Sequence, residues 1–133
     1  MTESRRDRGS VLPFVATVTA ALVASAGLAV DGGSILAARR QASVVAAAAA
    51  RRGSEELAWP DITSGRAALD TDRAVAAAES YLRQAGVAGR ATAVPDHVTV
   101  TVSITEPTVV LGAFGIGPKT VSATRSATPF AGG

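Results

Sequence analysis

The stretch VLPFVATVTAALVASAGLAVDGG occupies residues 11–33 and decides what kind of protein this chain can form. From Val11 to Val30 it holds no charged residue, and Asp31 follows directly. As a helix that rises about 1.5 Å per residue, this run spans roughly 30 Å, the thickness of the hydrocarbon core of a bilayer. We predict a membrane-spanning helix, because the rest of a 133-residue chain offers little that can surround such a helix in a soluble core.

The apolar run fits either a retained anchor or a signal peptide. Three arginines precede it, and the sequence ASA at 24–26 fits signal-peptidase cleavage after Ala26. The run is long for a signal peptide, however, and the alanine-rich, proline-free sequence that follows extends the helical pattern from about residue 11 to about residue 52. We favour a retained, single-pass anchor, and release after Ala26 is the alternative.

The order of charges gives a weak indication of orientation. Arg5, Arg6 and Arg8 lie just before the span, whereas the next arginines begin at Arg39. Since positive residues close to a span tend to stay inside, we expect residues 1–9 to form a cytoplasmic tail. The C-terminal domain is then extracytoplasmic.

Small residues recur at helical spacing near the end of the run. Ser25, Ala29, Gly33 and Ala37 are each four residues apart, which makes a flat strip where another helix can approach. Any alanine-rich helix can produce such a strip by chance. The adjacent pair Gly32 and Gly33 indicates a kink or a close backbone contact, because glycine is unfavourable inside helices.

Residues 6–50 resemble the N-terminal segment of the TadE/TadG-like proteins of Tad (Flp-type) pilus systems. The features that carry the resemblance are Arg8-Gly9, the apolar run, Asp31 after GLAV, the ARRQ sequence at 38–41 and the alanine tract at 46–50. Pilin-like members have a glutamate five residues after a processing glycine. If Gly9 is that glycine, Phe14 occupies the place, so the chain is more similar to the TadG-like branch.

This resemblance implies a non-enzymatic membrane protein of the cell surface that helps to assemble or anchor a pilus or secretion apparatus. Residues 10–52 would form a transmembrane and extended pilin-like helix that packs against other Tad pilus or pseudopilin-like subunits. Together with the resemblance, the position of Asp31 favours pairing with a basic group of a partner; marking the exit of the helix into water is the alternative.

Composition argues against several other classes of protein. The chain has no cysteine and one histidine, His97, so the usual zinc sites and cysteine nucleophiles are excluded. No serine lies in a nucleophile-elbow motif, and no glycine-rich phosphate loop follows a strand. With a net charge of +2 and no basic stripe, nucleic-acid binding is not indicated. We expect no enzyme activity, metal, cofactor or small-molecule substrate.

The C-terminal part predicts a small α+β domain. Residues 53–69 contain Gly53, Pro60 and Gly65 and form a linker, with acidic residues that are most simply solvated and Trp59 that we expect to cap the core. In 70–133, DTDRAVAAAESYLRQAGV predicts an amphipathic helix with a glycine stop at Gly86. RATAV, HVTVTVSIT and KTVSATRSAT predict three antiparallel strands packed against it.

The segment between the last two predicted strands is unusually apolar for a hairpin loop. Its apolar residues include Val110, Leu111, Phe114 and Ile116. They can contact a membrane or a partner, or they can fold over the open face of the sheet and complete the core. We favour the second interpretation.

Overall fold

The structure is a computed structural model that describes residues 8–58 and 68–130. In chain order the elements are α1 (Arg8–Ser54), α2 (Thr71–Gln84), β1 (Ala88–Val94), β2 (His97–Glu106), α3 (Val110–Ala113) and β3 (Lys119–Ala127). One long apolar helix, a shorter helix and a three-stranded antiparallel sheet confirm the predicted α+β fold. Trp59, Pro60 and Gly65, which were assigned to the linker, lie outside the described residues.

The chain forms two compact units. The first contains the part of α1 up to Ser34 together with Pro107–Pro118, and the second contains Ile35–Glu106 and the chain from Lys119 onward. The segment that connects β2 to β3 therefore belongs to the first unit, although both strands belong to the second.

Helix α1 has no interruption over its 47 residues. Within the apolar run, hydroxyl groups bond to the helix backbone itself: Thr17 Oγ1 donates to the carbonyl oxygen of Pro13 and Ser25 Oγ to that of Ala21, each at 2.8 Å. These bonds remove the unsatisfied donors that threonine and serine would otherwise expose on an apolar helix.

The core of the second unit is built around small side chains of α1. The buried alanines of α1 recur every three or four residues, so they form one face of the helix. They join a single cluster with residues of α2 and of the sheet; the buried members are Ala42, Ala46, Ala49, Ala50, Leu69, Ala74, Ala78, Leu82, Ala91, Val98, Val100 and Val102. Because alanine has a small side chain, α1 contributes little bulk to this core.

Both ends of α2 are fixed by local hydrogen bonds. The side chain of Asp70 accepts a hydrogen bond from the Arg73 N–H at 3.2 Å, which caps the N-terminus. At the other end Gly86 adopts φ +68°, and the N–H groups of Gly86 and Val87 donate to the carbonyls of Arg83 and Leu82. This is the predicted Schellman arrangement, which requires a left-handed residue where glycine stands.

The sheet is an antiparallel meander in the order β1-β2-β3. Val94 pairs with His97 across the turn at Pro95-Asp96, and Val98, Val100 and Val102 are fully buried, as their alternation predicts. On the opposite face, hydroxyl groups pair across β2 and β3, for example Thr101 with Thr124 at 2.9 Å. These pairs satisfy the hydrogen bonding of the hydroxyl groups on that face without charged side chains.

Gly53, near the end of α1, lets α1 approach Ala74 and Val98 closely, and replacing it should lower stability. A Cβ added there would lie 2.8 Å from the carbonyl oxygen of Ala74 and 3.1 Å from Cγ1 of Val98, whereas one added at Gly33 would meet nothing within 4 Å. We expect Gly53→Ala to lower the free energy of unfolding by about 1–3 kcal/mol despite alanine's better helix propensity. Gly33→Ala on the same helix is the matched control and should cause no loss.

The measurement is urea unfolding of the full chain in mild detergent, followed by circular dichroism. Equal midpoints for the two variants would contradict the close contact at Gly53.

Candidate functional site

The candidate site is the surface of the first unit, and its main feature is an uncovered apolar helix. Every residue of α1 from 11 to 26 is exposed. The large apolar side chains among them are Val11, Leu12, Phe14, Val15, Val18, Leu22 and Val23. By length and composition, α1 is the one helix in the described part of the chain that can cross a membrane. A core helix of a soluble protein would instead be mostly buried.

The small-residue strip, defined as Ser25, Ala29, Gly33 and Ala37, is also uncovered. All four residues are exposed. A Cβ added at Gly32 or Gly33 meets no atom within 4 Å, and the helix is not interrupted at this pair. The close backbone contact expected for these glycines is therefore not made within the described chain, and the strip is open to a second helix.

Asp31 is buried and hydrogen-bonded within its own unit, and its predicted pairing with a partner's basic group stays a prediction. Only 1% of its surface is exposed, and its carboxylate accepts three backbone hydrogen bonds from the same unit. The N–H groups of Val109 and Val110 donate to Oδ1 at 3.1 and 3.4 Å, and that of Leu111 donates to Oδ2 at 2.7 Å. We call this arrangement the Asp31 clamp.

The clamp satisfies both the free N–H groups at the start of α3 and the buried carboxylate of Asp31, each of which would otherwise be destabilising. The first N–H groups of a helix have no partner inside the helix, and α3 begins at Val110. A buried carboxylate requires donors or an opposite charge, and hydrogen bonds to a charged group are worth roughly 1.5–3 kcal/mol. Asp31 thus caps a helix about eighty residues away along the chain, and in the described chain its carboxylate meets N–H donors where a partner's cation was expected.

Residues 107–118, which we call the apolar loop, satisfy most of their other polar groups internally. Thr108 Oγ1 donates to the Ile116 carbonyl at 2.6 Å, and the N–H groups of Phe114 and Ile116 both donate to the Leu111 carbonyl. Gly115 adopts φ +83°, a conformation that favours glycine and reverses the chain after α3. The loop is therefore an ordered turn with its own hydrogen bonds.

Gly27 lets the apolar loop lie directly on α1. It is the buried residue of the run, and a Cβ placed on it would overlap the side chain of Val110, with 2.9 Å to the Val110 Cβ. The contact lies one helical turn before the Asp31 clamp. Glycine is needed at this position because of the close approach.

The expectation that the loop covers the sheet stays a prediction, and the described core does not include the loop. The core cluster of described residues includes no member of 107–118, and Val109, Phe114 and Ile116 stay exposed to 73%, 72% and 39%. Sequence reasoning missed the partners of Asp31 and the role of Gly27. The available signals were an acid directly after an apolar run and a twelve-residue uncharged segment, but neither specifies that the two meet.

The remaining candidates are His97, a possible metal site and the two processing positions. His97 Nδ1 lies 2.8 Å from Asp96 Oδ1 at an exposed turn. In the described ranges, no group of three or more histidine, aspartate or glutamate side chains is placed to hold a metal ion. Of the two candidate processing positions, Ala26 is exposed and Gly9 lies in the first turn of α1.

No family model matches the chain, and no curated protein or solved structure matches it. The resemblance to TadG-like proteins therefore stays a prediction, based on residues 6–50 alone.

Removing the Asp31 carboxylate should loosen the apolar loop. We expect Asp31→Ala to increase amide hydrogen exchange at Val109, Val110 and Leu111 by roughly tenfold or more, because charge-assisted bonds of this kind are worth about 1.5–3 kcal/mol. Asp72→Ala, an exposed acid in the first turn of α2, is the control and should leave these amides unchanged.

Hydrogen exchange of the full chain in detergent, measured by mass spectrometry or NMR, resolves the difference. Unchanged protection at 109–111 in Asp31→Ala would show that the clamp does not hold the loop.

Proposed function

We propose that this chain is a non-enzymatic, single-pass membrane component of a Tad/Flp-type pilus assembly or secretion apparatus, of the TadG-like kind. In this proposal the N-terminus is cytoplasmic and the small α+β domain is extracytoplasmic. The N-terminal helix would pack laterally against other pilus or pseudopilin-like membrane subunits.

The observation that carries the proposal is the continuity of α1. Its first part exposes apolar side chains on all sides, while residues of the same helix from Ala42 to Ala50 are core residues of a folded domain. Water disfavours the first surface by about 25 cal/mol per Å² of apolar area. A bilayer removes that cost, and the folded domain keeps the other end in water.

The small-residue strip supports lateral packing. Transmembrane helices associate where small residues let their backbones approach. The strip is exposed along three successive steps of four residues, and nothing in the described chain occupies the space beside Gly32 and Gly33.

A secreted binding domain released after Ala26 is the second candidate, and one observation favours it. Both Gly27 and Asp31 lie after the cleavage position, so a released product would keep the Val110 contact and the Asp31 clamp. Release would also remove the fully exposed stretch from 11 to 26.

Intact mass separates the two candidates. We expect a full-length species in the membrane fraction of the host, because the apolar run stays in the bilayer as an anchor. A species that begins at Ser10 would indicate prepilin-type processing and a place in the fibre. A soluble species that begins at Gly27 would contradict the anchor and support the secreted domain.

Site-specific photo-crosslinking tests the packing surface. A photoreactive residue in place of Ala29, on the strip, should form adducts with pilin-like subunits or with copies of this chain. The matched control is Val30, which lies at nearly the same depth but about 100° around the helix. Both residues are exposed, so equal adduct yields would indicate random collisions and contradict packing through the strip.

A further inference from the structure

We infer that the apolar loop, residues 107–118, is a second membrane contact that inserts into the interfacial layer of the same bilayer that holds α1. This inference rests on the proposed membrane anchor and adds a lipid surface as the partner of the loop.

The position of the loop along α1 is the first step. Val110 lies on Gly27, and the backbone of 109–111 is bound to Asp31, all within one unit. The uncharged run ends at Val30. A bilayer that covers the run therefore has its boundary at the level of the clamp, and the loop lies at that boundary.

The chemistry of the loop is the second step. It contains no charged residue, and it is flanked by Glu106 and Lys119, which pair across β2 and β3. Val109 and Phe114 are among the most exposed large apolar residues of the described chain. Exposed apolar and aromatic side chains beside the end of a membrane span are typical of interfacial anchoring.

The hydrogen bonding of the loop is the third step. Irregular backbone is costly near lipid unless its polar groups have partners. Here the N–H groups of 109–111 are bound by Asp31, those of 114–116 by carbonyls of the loop, and the Thr108 hydroxyl by Ile116. Pro107 and Pro118 have no N–H group at all. The loop thus presents apolar side chains without unsatisfied donors at these positions.

These three features favour lipid over a protein partner. The loop packs on α1 at Gly27, within the run that is proposed to face the acyl chains. A protein partner of the water-exposed domain would have no reason to meet this uncharged segment at the end of the span.

The test uses the full chain reconstituted in phosphatidylcholine vesicles. Trp59 is the only tryptophan, so a Trp59→Phe, Phe114→Trp chain reports on the loop and a Trp59→Phe, Gln84→Trp chain reports on an exposed position of α2. With lipids brominated near the headgroup end of the acyl chain, we expect roughly twofold stronger quenching at 114 than at 84, because the interfacial layer holds the loop. Asp31→Ala added to the first chain should reduce that quenching.

Carbonate extraction of the same vesicles separates the two levels of the proposal. If the chain resists extraction but position 114 is quenched no more than position 84, the loop inference is overturned and the anchor stands. If carbonate releases the chain, the membrane anchor itself fails. If quenching at 114 is absent and its emission depends on protein density in the vesicle, the loop contacts a second copy instead of lipid, which also overturns the inference.

Discussion

A single uninterrupted helix has to satisfy two environments, and this constraint determines the rest of the structure. Between Ala42 and Ala50, α1 buries one alanine face in a domain core, but between residues 11 and 26 nothing in the described chain covers it. The stretch from 11 to 26 contains no charged residue, and the arginines on either side of the second stretch are exposed. The proposed membrane anchor gives the first stretch an apolar solvent and leaves the second with the folded domain.

Several residues with unusual burial lie in α1 between its exposed apolar part and its buried alanine face. Within a few residues α1 carries Gly27, which is buried, Asp31, which is buried and charged, and Gly32-Gly33, which are exposed. A buried carboxylate needs a partner, and here the N–H groups at the start of a short helix supply it. That arrangement ties the apolar loop to the end of the proposed span. The Asp31 carboxylate thus orders a loop of its own chain, whereas its position in the sequence and the resemblance together favoured a salt bridge to a partner.

The sequence predicts those features that depend on local periodicity. The 3.6-residue pattern of α2, the stop at Gly86 and the alternation of Val98 to Val102 all depend on near neighbours, and each is present in the structure. The exposure of the apolar run is likewise expected from its length and lack of charge. In contrast, the contact of Asp31 with 109–111 joins residues far apart in the chain. No periodic signal encodes such a pair, since any acid can cap any helix that reaches it.

The expectation that the loop covers the open face of the sheet rests on hydrophobicity alone, which Val110 and Phe114 fit. The sheet itself does not require such a cover. On its polar face Thr99, Thr101 and Thr105 pair with hydroxyl groups of β3. A face whose hydroxyl groups satisfy one another is stable in water and needs no apolar cover. The apolar loop instead packs on α1 through Val110 and Gly27. The inferred membrane contact accounts for its lack of charge, because the loop would then meet the same apolar environment as the run beside it.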